Sequence, residues 1–286
     1  YYHYATALVN VGDSESAKER LVKALDLNPS HLPSLIALGP LQIESGEWKK
    51  AEQIYRQLLK HTGGTGDKGL LASTYANLGR VEYALGKTDK AAKRFKKALG
   101  FQPNSVPAML GMAELQFESE DWNGLFNSYN TVIRYASDPV AVIKAYVVKG
   151  HVLDVSMNLP EKAAQHYQKA WHYYKKSNVP GAKGGLNNLA DNALLRLTEM
   201  AIRMDAWEDA LGLLNDNSTP EKQTGNVGFA LARAVAEAMS GDDSTGADSL
   251  KAIISTDAEL KKSIGKSKAG SDKVRGILQS LVTANL

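Results

Sequence analysis

Six histidines, His3, His31, His61, His151, His166 and His172, are the residues best suited to hold a metal or move a proton at neutral pH. A helical zinc hydrolase needs two of them four apart with a glutamate between, so that both rings reach one ion from one face. No pair has that spacing, and His166 and His172 point to different sides of a helix. All six read as structural or surface residues, and no metal is expected. Two glycine-rich stretches, Gly63-Gly64-Thr65-Gly66-Asp67-Lys68-Gly69 and Pro180-Gly181-Ala182-Lys183-Gly184-Gly185, invite a phosphate-loop reading. The first lacks Gly-Lys-Ser/Thr and follows a helix where a strand is required; the second fails likewise. Both read as loops between helical units, of a kind that sometimes contacts partners.

Serine and acid residues are plentiful, but no Gly-x-Ser-x-Gly elbow occurs. Carboxylate pairs such as Glu118/Glu120 and Asp242/Asp243 sit beside turns, where they cap and solubilise. No nucleophile and base come together, so the chain is expected to be no enzyme, with no cofactor and no small-molecule substrate. Asn217-Ser218-Thr219, followed by Pro220, reads as a turn. Lys261, Lys262, Lys266, Lys268, Lys273 and Arg275 gather charge near the C-terminus. They read as a solvated linker face, with an anionic partner as the alternative. No aromatic residues are interleaved, which argues against single-stranded nucleic acid.

Residues that do no chemistry must then do architecture. The chain has 286 residues, 43% of them hydrophobic and 23% charged, which excludes wholesale disorder. It has no cysteine, which excludes disulfides, Cys-zinc sites and thiol catalysis. A net charge of +3 is too small to point to nucleic acid. No apolar run approaches the ~20 residues of a membrane helix. Tyr1-Tyr2-His3-Tyr4 resembles no leader, and no Met opens the chain.

A repeat organises the sequence. Gly12, Ala17, Leu21, Ala24 and Pro29 match Gly46, Ala51, Tyr55 and Leu58, then Gly86, Ala91, Phe95, Ala98 and Pro103. Gly12 to Gly46 is 34 residues and Gly46 to Gly86 is 40, the excess falling in the first glycine-rich stretch. A fourth unit runs from Pro107 to about Ser137. The glycine suits a left-handed cap after a first helix. Small, large and small residues at the next spacing make one face of a second helix, and the proline ends it. With Leu32, Ala72, Val106 and Asp191 as first residues, Trp48, Trp122 and Trp207 all fall seventeenth, at the start of the second helix.

These residues resemble the tetratricopeptide repeat family, a 34-residue helix–turn–helix unit. Tyr75, Leu78, Gly79, Ala91, Phe95, Ala98 and Pro103 match its pattern best; Leu35, Leu38, Gly39, Ala51 and Tyr55 match it in unit two, where Gly63 replaces the proline. The first unit begins at its fourth position, as expected of a fragment. The resemblance implies an all-α, right-handed superhelical solenoid of antiparallel helix pairs. Residues 1–137 are expected to form four repeats, the first truncated, and 138–255 two or three degenerate pairs. In that second region Tyr146, Gly150, Ala163, Tyr167 and Ala170 suggest a fifth unit stretched by one residue, and Leu194, Trp207, Ala210 and Leu214 a sixth. Residues 256–286 are expected to be a linker and a capping helix with the stripe Val274, Ile277, Leu278, Leu281 and Val282.

In that family the first helices line the concave side. The resemblance therefore implies a partner-binding groove of Ile36, Pro40, Ile43, Ala76, Arg80, Tyr83, Leu110, Glu114 and Phe117, extended by Val147 and His151. Such an apolar and aromatic surface suits an extended or helical protein segment. Of the carboxylate clamp that binds chaperone tails only Asn77 and Arg80 are present, so such tails are not expected. Pro40, inside a first helix, is expected to kink it at a cost of ~3 kcal/mol and open the groove. The implied function is a non-catalytic protein-interaction scaffold. The alternative is an accessory or regulatory region of a larger enzyme or of a cell-envelope export or assembly machine. Association with a membrane-bound complex, and a cytoplasmic or periplasmic setting, stay open.

Overall fold

The computed structural model describes residues 1–62, 66–177, 185–203 and 206–217, with 232, 233 and 236 besides. Among these residues there is no strand. The chain falls into two compact units, Tyr1–Ser137 and Asp138–Leu286.

The first unit holds α1 (Tyr2–Asn10), α2 (Ser14–Leu27), α3 (Leu32–Glu44), α4 (Trp48–Thr62), α5 (Lys68–Ala84), α6 (Thr88–Phe101), α7 (Val106–Glu118) and α8 (Trp122–Tyr135). Each packs on the next, and α1 on α3 and α5 on α7, so first and second helices form two layers. Local chemistry sets the boundaries. Asp13, Asp67 and Asp121 cap second or first helices by accepting from Ser16, Leu70 and Gly124 N–H groups. Gly12, Gly46 and Gly86 end first helices at φ 85°, 69° and 72°. In the fourth repeat Glu120 takes that place at φ 55°.

The insertion before the third repeat is not wholly a loop. Lys68 and Gly69, expected in a connecting loop, lie in α5, which has 17 residues against 13 in α3 and in α7. Asp67 caps it early, so part of the insertion extends the helix. The other expected loop, residues 180–184, lies outside the described residues. α3 passes through Pro40 from Leu32 to Glu44 as one helix. Pro40 has no N–H to offer the Ile36 carbonyl.

Close packing explains the glycines inside first helices. A Cβ at Gly39 would fall 2.7 Å from the Tyr55 ring, and one at Gly79 2.6 Å from Phe95. The Phe95 ring also presses on Gly111 of the next repeat, so one aromatic joins two repeats. Trp48 and Trp122 begin α4 and α8 and are half-buried. The first packs on the cluster holding Ile43, and the second meets Phe117 edge-on at 5.8 Å.

The second unit holds α9 (Pro139–His151), α10 (Pro160–Ser177), α11 (Gly185–Arg203) and α12 (Trp207–Asn217). A π-helical turn, Val152–Ser156, absorbs the extra residue of the stretched fifth unit, with Asn158 at φ 52° after it. Gly150 gives way to Tyr167 as Gly79 does to Phe95. Ala163, Ala210 and Leu214 are fully buried. The expected capping helix and its stripe lie outside the described residues.

Candidate functional site

The first helices of the first unit present the expected groove residues unevenly. Ile36 and Phe117 are 42% and 40% exposed, and Pro40 and Arg80 are exposed. Tyr83, Leu110 and Glu114 are half-buried. Ile43 and Ala76 correct the expectation. Ile43 is in the core with Leu35, Tyr55, Leu58, Leu78 and Val81, and Ala76 packs with Phe95, Ala98, Ala108 and Leu115. Each first helix packs against its own second helix and against the neighbouring first helix, which covers most of its circumference. The strip left open is narrower than four positions per helix. In the second unit Val147 is buried as well, and His151 is half-buried.

Polar groups organise the open strip. Tyr83 Oη donates to Glu118 Oε1 at 2.5 Å, tying α5 to α7. That hydrogen bond, then burial, pushes the Tyr83 phenol up to about 12. Glu118 sits in the last turn of α7, where the helix dipole disfavours an acid. Its placement there was the available sequence signal for it. Arg80 stands one turn before Tyr83 on α5 and is close enough to the Tyr55 phenol to act on it electrostatically. The strip thus offers apolar anchors at Ile36, Leu110 and Phe117, a cation at Arg80 and acids at Glu114 and Glu118.

His151 in the second unit has its Nδ1 buried without a hydrogen-bond partner, and burial followed by the Arg196 charge lowers its pKa. Among the described residues no three His, Asp or Glu side chains gather in a way that could hold a metal. Among them too, no helix is long and apolar enough to cross a membrane.

Sequence reasoning missed the polar seams between repeats. Glu82 is fully buried in α5, bound by Arg56 Nη2 of α4 at 3.0 Å and Arg94 Nε of α6 at 3.2 Å. Beside it Lys87 reaches Glu52 at 2.6 Å. Between the first two repeats, Lys18 binds Glu47 at 2.9 Å and Ser45 Oγ at 2.6 Å. A glutamate in the apolar register of a helix was the visible sign.

Paired helices in fixed phase define a helical-repeat solenoid, a class built to present surfaces. Residues 1–31 and 34–104 match family models of the tetratricopeptide repeat, so this part of the chain carries tetratricopeptide repeats. The solved structures agree in fold. PilF of Pseudomonas aeruginosa superposes with a TM-score of 0.57 at 15% identity, over 82% of this chain and 97% of that one. YrrB, described as a tetratricopeptide repeat protein with an unusual peptide-binding site, gives 0.52 at 15% identity, over 74% and 98%. In sequence the chain is 24% identical to the CTR9 homolog of Arabidopsis thaliana over 118 residues, 41% of this chain and 10% of that protein. It is 27% identical to the human O-mannosyl-transferase TMTC3 over 154 residues, 54% of this chain and 16% of that protein. The chain thus spans a small part of these curated relatives. The family's repeats generally serve as non-catalytic scaffolds that bind proteins or peptides.

Proposed function

We propose that the first unit binds an extended or helical protein segment along the open strip of its first helices, at Ile36, Pro40, Arg80, Tyr83, Leu110, Glu114 and Phe117. The observation that carries this reading is the exposure of Ile36 and Phe117, two large apolar side chains left 42% and 40% open on first helices. Burying such side chains drives association, at about 25 cal/mol per Å2 of apolar surface. Arg80 and Glu114 fix direction, since a misplaced segment meets like charge. The peptide-binding site described for YrrB is in keeping with this reading. The chain acts as a scaffold without chemistry of its own.

A second reading, an accessory region of a larger protein, draws on the small share of TMTC3 that the match covers. It is compatible with the first. The test is affinity for peptides selected against the folded chain by display. Ile36→Glu and Phe117→Glu are expected each to weaken the selected peptides at least about tenfold, the loss expected of an anchor worth 1.4 kcal/mol or more. Unchanged affinity in both would remove the groove.

A further inference from the structure

Register between repeats exposes a vacancy on the opposite layer. Adding 34 to Lys18, Val22 and 40 to Gln42, Glu47 and Ile54 gives Glu52, Arg56, Glu82, Lys87 and Arg94. The seam between repeats two and three is therefore complete: the buried acid Glu82 receives Arg56 from the preceding second helix and Arg94 from its own. In the seam between repeats one and two the buried polar residue is Gln42, and the two arginine positions are Val22 and Ile54. Gln42 is 4% exposed, and its Oε1 is buried without a hydrogen-bond partner. It lines a cleft of about 380 Å3 formed with Lys18, Val22, Glu47 and the exposed acids Glu19 and Asp26. The seam between repeats three and four is satisfied differently: Gln116, one repeat after Glu82, meets Ser128. Of these three seams, the first is the one whose buried acceptor has no donor.

We propose that this cleft receives an arginine side chain from a protein partner, in the place that Arg56 fills one repeat later. A buried carbonyl oxygen without a donor costs about 1–3 kcal/mol, and a guanidinium supplies several N–H groups in a plane. Its charge is met by Glu19 and Asp26. The cleft's other cations do not compete equally: Lys18 and Lys50 are both engaged by Glu47, and Lys23 is exposed on α2. Val22, 43% exposed, lines the cleft at the position from which Arg56 reaches Glu82 in the next seam. An arginine suits the site better than a lysine because its fork can serve the Gln42 oxygen and a carboxylate together. This surface is on the second-helix layer and does not depend on the open strip of the first helices.

N-acetyl-arginine methylamide is the probe, titrated into the isotope-labelled chain and followed by NMR at the Gln42 side-chain amide. Saturable shifts are expected, with the citrulline counterpart binding at least about tenfold weaker because it lacks the charge. Val22→Arg, a change at an exposed helical position, is expected to fill the cleft from within and abolish the shifts while the melting temperature holds or rises. Phe117→Glu is expected to leave them unchanged. No saturable shift, equal binding of citrulline, or undiminished shifts in a folded Val22→Arg variant would each overturn the proposal.

Discussion

Phe95 leaves Gly111 no room for a side chain: a Cβ built on Gly111 would lie 2.2 Å from the Phe95 Cζ. The ring belongs to the third repeat and the glycine to the fourth, so the pair fixes how closely two repeats stack. Gly111→Ala is therefore expected to destabilise the chain by about 1–3 kcal/mol, the range for overpacking. Gly100→Ala, at a helical position with nothing within 4 Å, is expected to stabilise by about 0.5–1 kcal/mol. Denaturant midpoints of the two variants check the difference in sign.

Glu120 occupies the left-handed cap that Gly12, Gly46 and Gly86 fill in the earlier repeats. A non-glycine residue there costs about 1–2 kcal/mol. Part of the gain from relieving it is lost to the greater freedom of glycine in the unfolded chain. Glu120→Gly is expected to stabilise by about 0.5–1 kcal/mol, and Gly86→Ala to destabilise by about 1 kcal/mol. Thermal melts of the two single variants read both effects.

This turn also shows what the sequence made legible. The phase of the repeats follows from glycine, alanine and aromatic spacing alone, because those residues answer to local backbone and contact geometry. Trp48, Trp122 and Trp207 all begin second helices, as their shared position implied. The open strip was only partly legible. A position-by-position transfer cannot tell Ile36, which is exposed, from Ile43, which is buried, since both are apolar and on one helix. That distinction depends on how close the neighbouring helix stands. The seams were only partly legible for the same reason: Glu82 stood out in an apolar register, but Arg56 belongs to the preceding repeat and meets it only when repeats stack.

Glu82 gives an asymmetric expectation. Replacing it with Met leaves Arg56 and Arg94, whose side chains are 47% and 24% exposed and can turn to water. Replacing both arginines with Met instead strands a fully buried acid. The double variant is expected to lose about 3–5 kcal/mol and Glu82→Met clearly less. Urea unfolding of the three proteins decides the order, and equal losses would contradict it.

His166 in the second unit carries a depressed pKa, lowered to about 4 by burial and then by Lys149 and Lys169. Unfolded, its pKa is about 6.5, so between those values the unfolded chain binds the proton and the folded one does not. Stability contributed by neutral His166 is therefore present above pH 6.5 and lost as pH falls toward 4. His166→Asn is expected to flatten that part of the profile, measured as melting temperature from pH 7.5 to 4.5.

The central claim, that partners lie along the open strip of the first helices, is tested most directly by photo-cross-linking. A photoreactive phenylalanine analogue at position 117 is compared with one at Lys93, exposed on the second helix α6. With a display-selected peptide bound, adducts are predicted at position 117, suppressed by Ile36→Glu, and none at 93. Equal labelling from both positions, or labelling at 117 that Ile36→Glu leaves intact, would contradict the account.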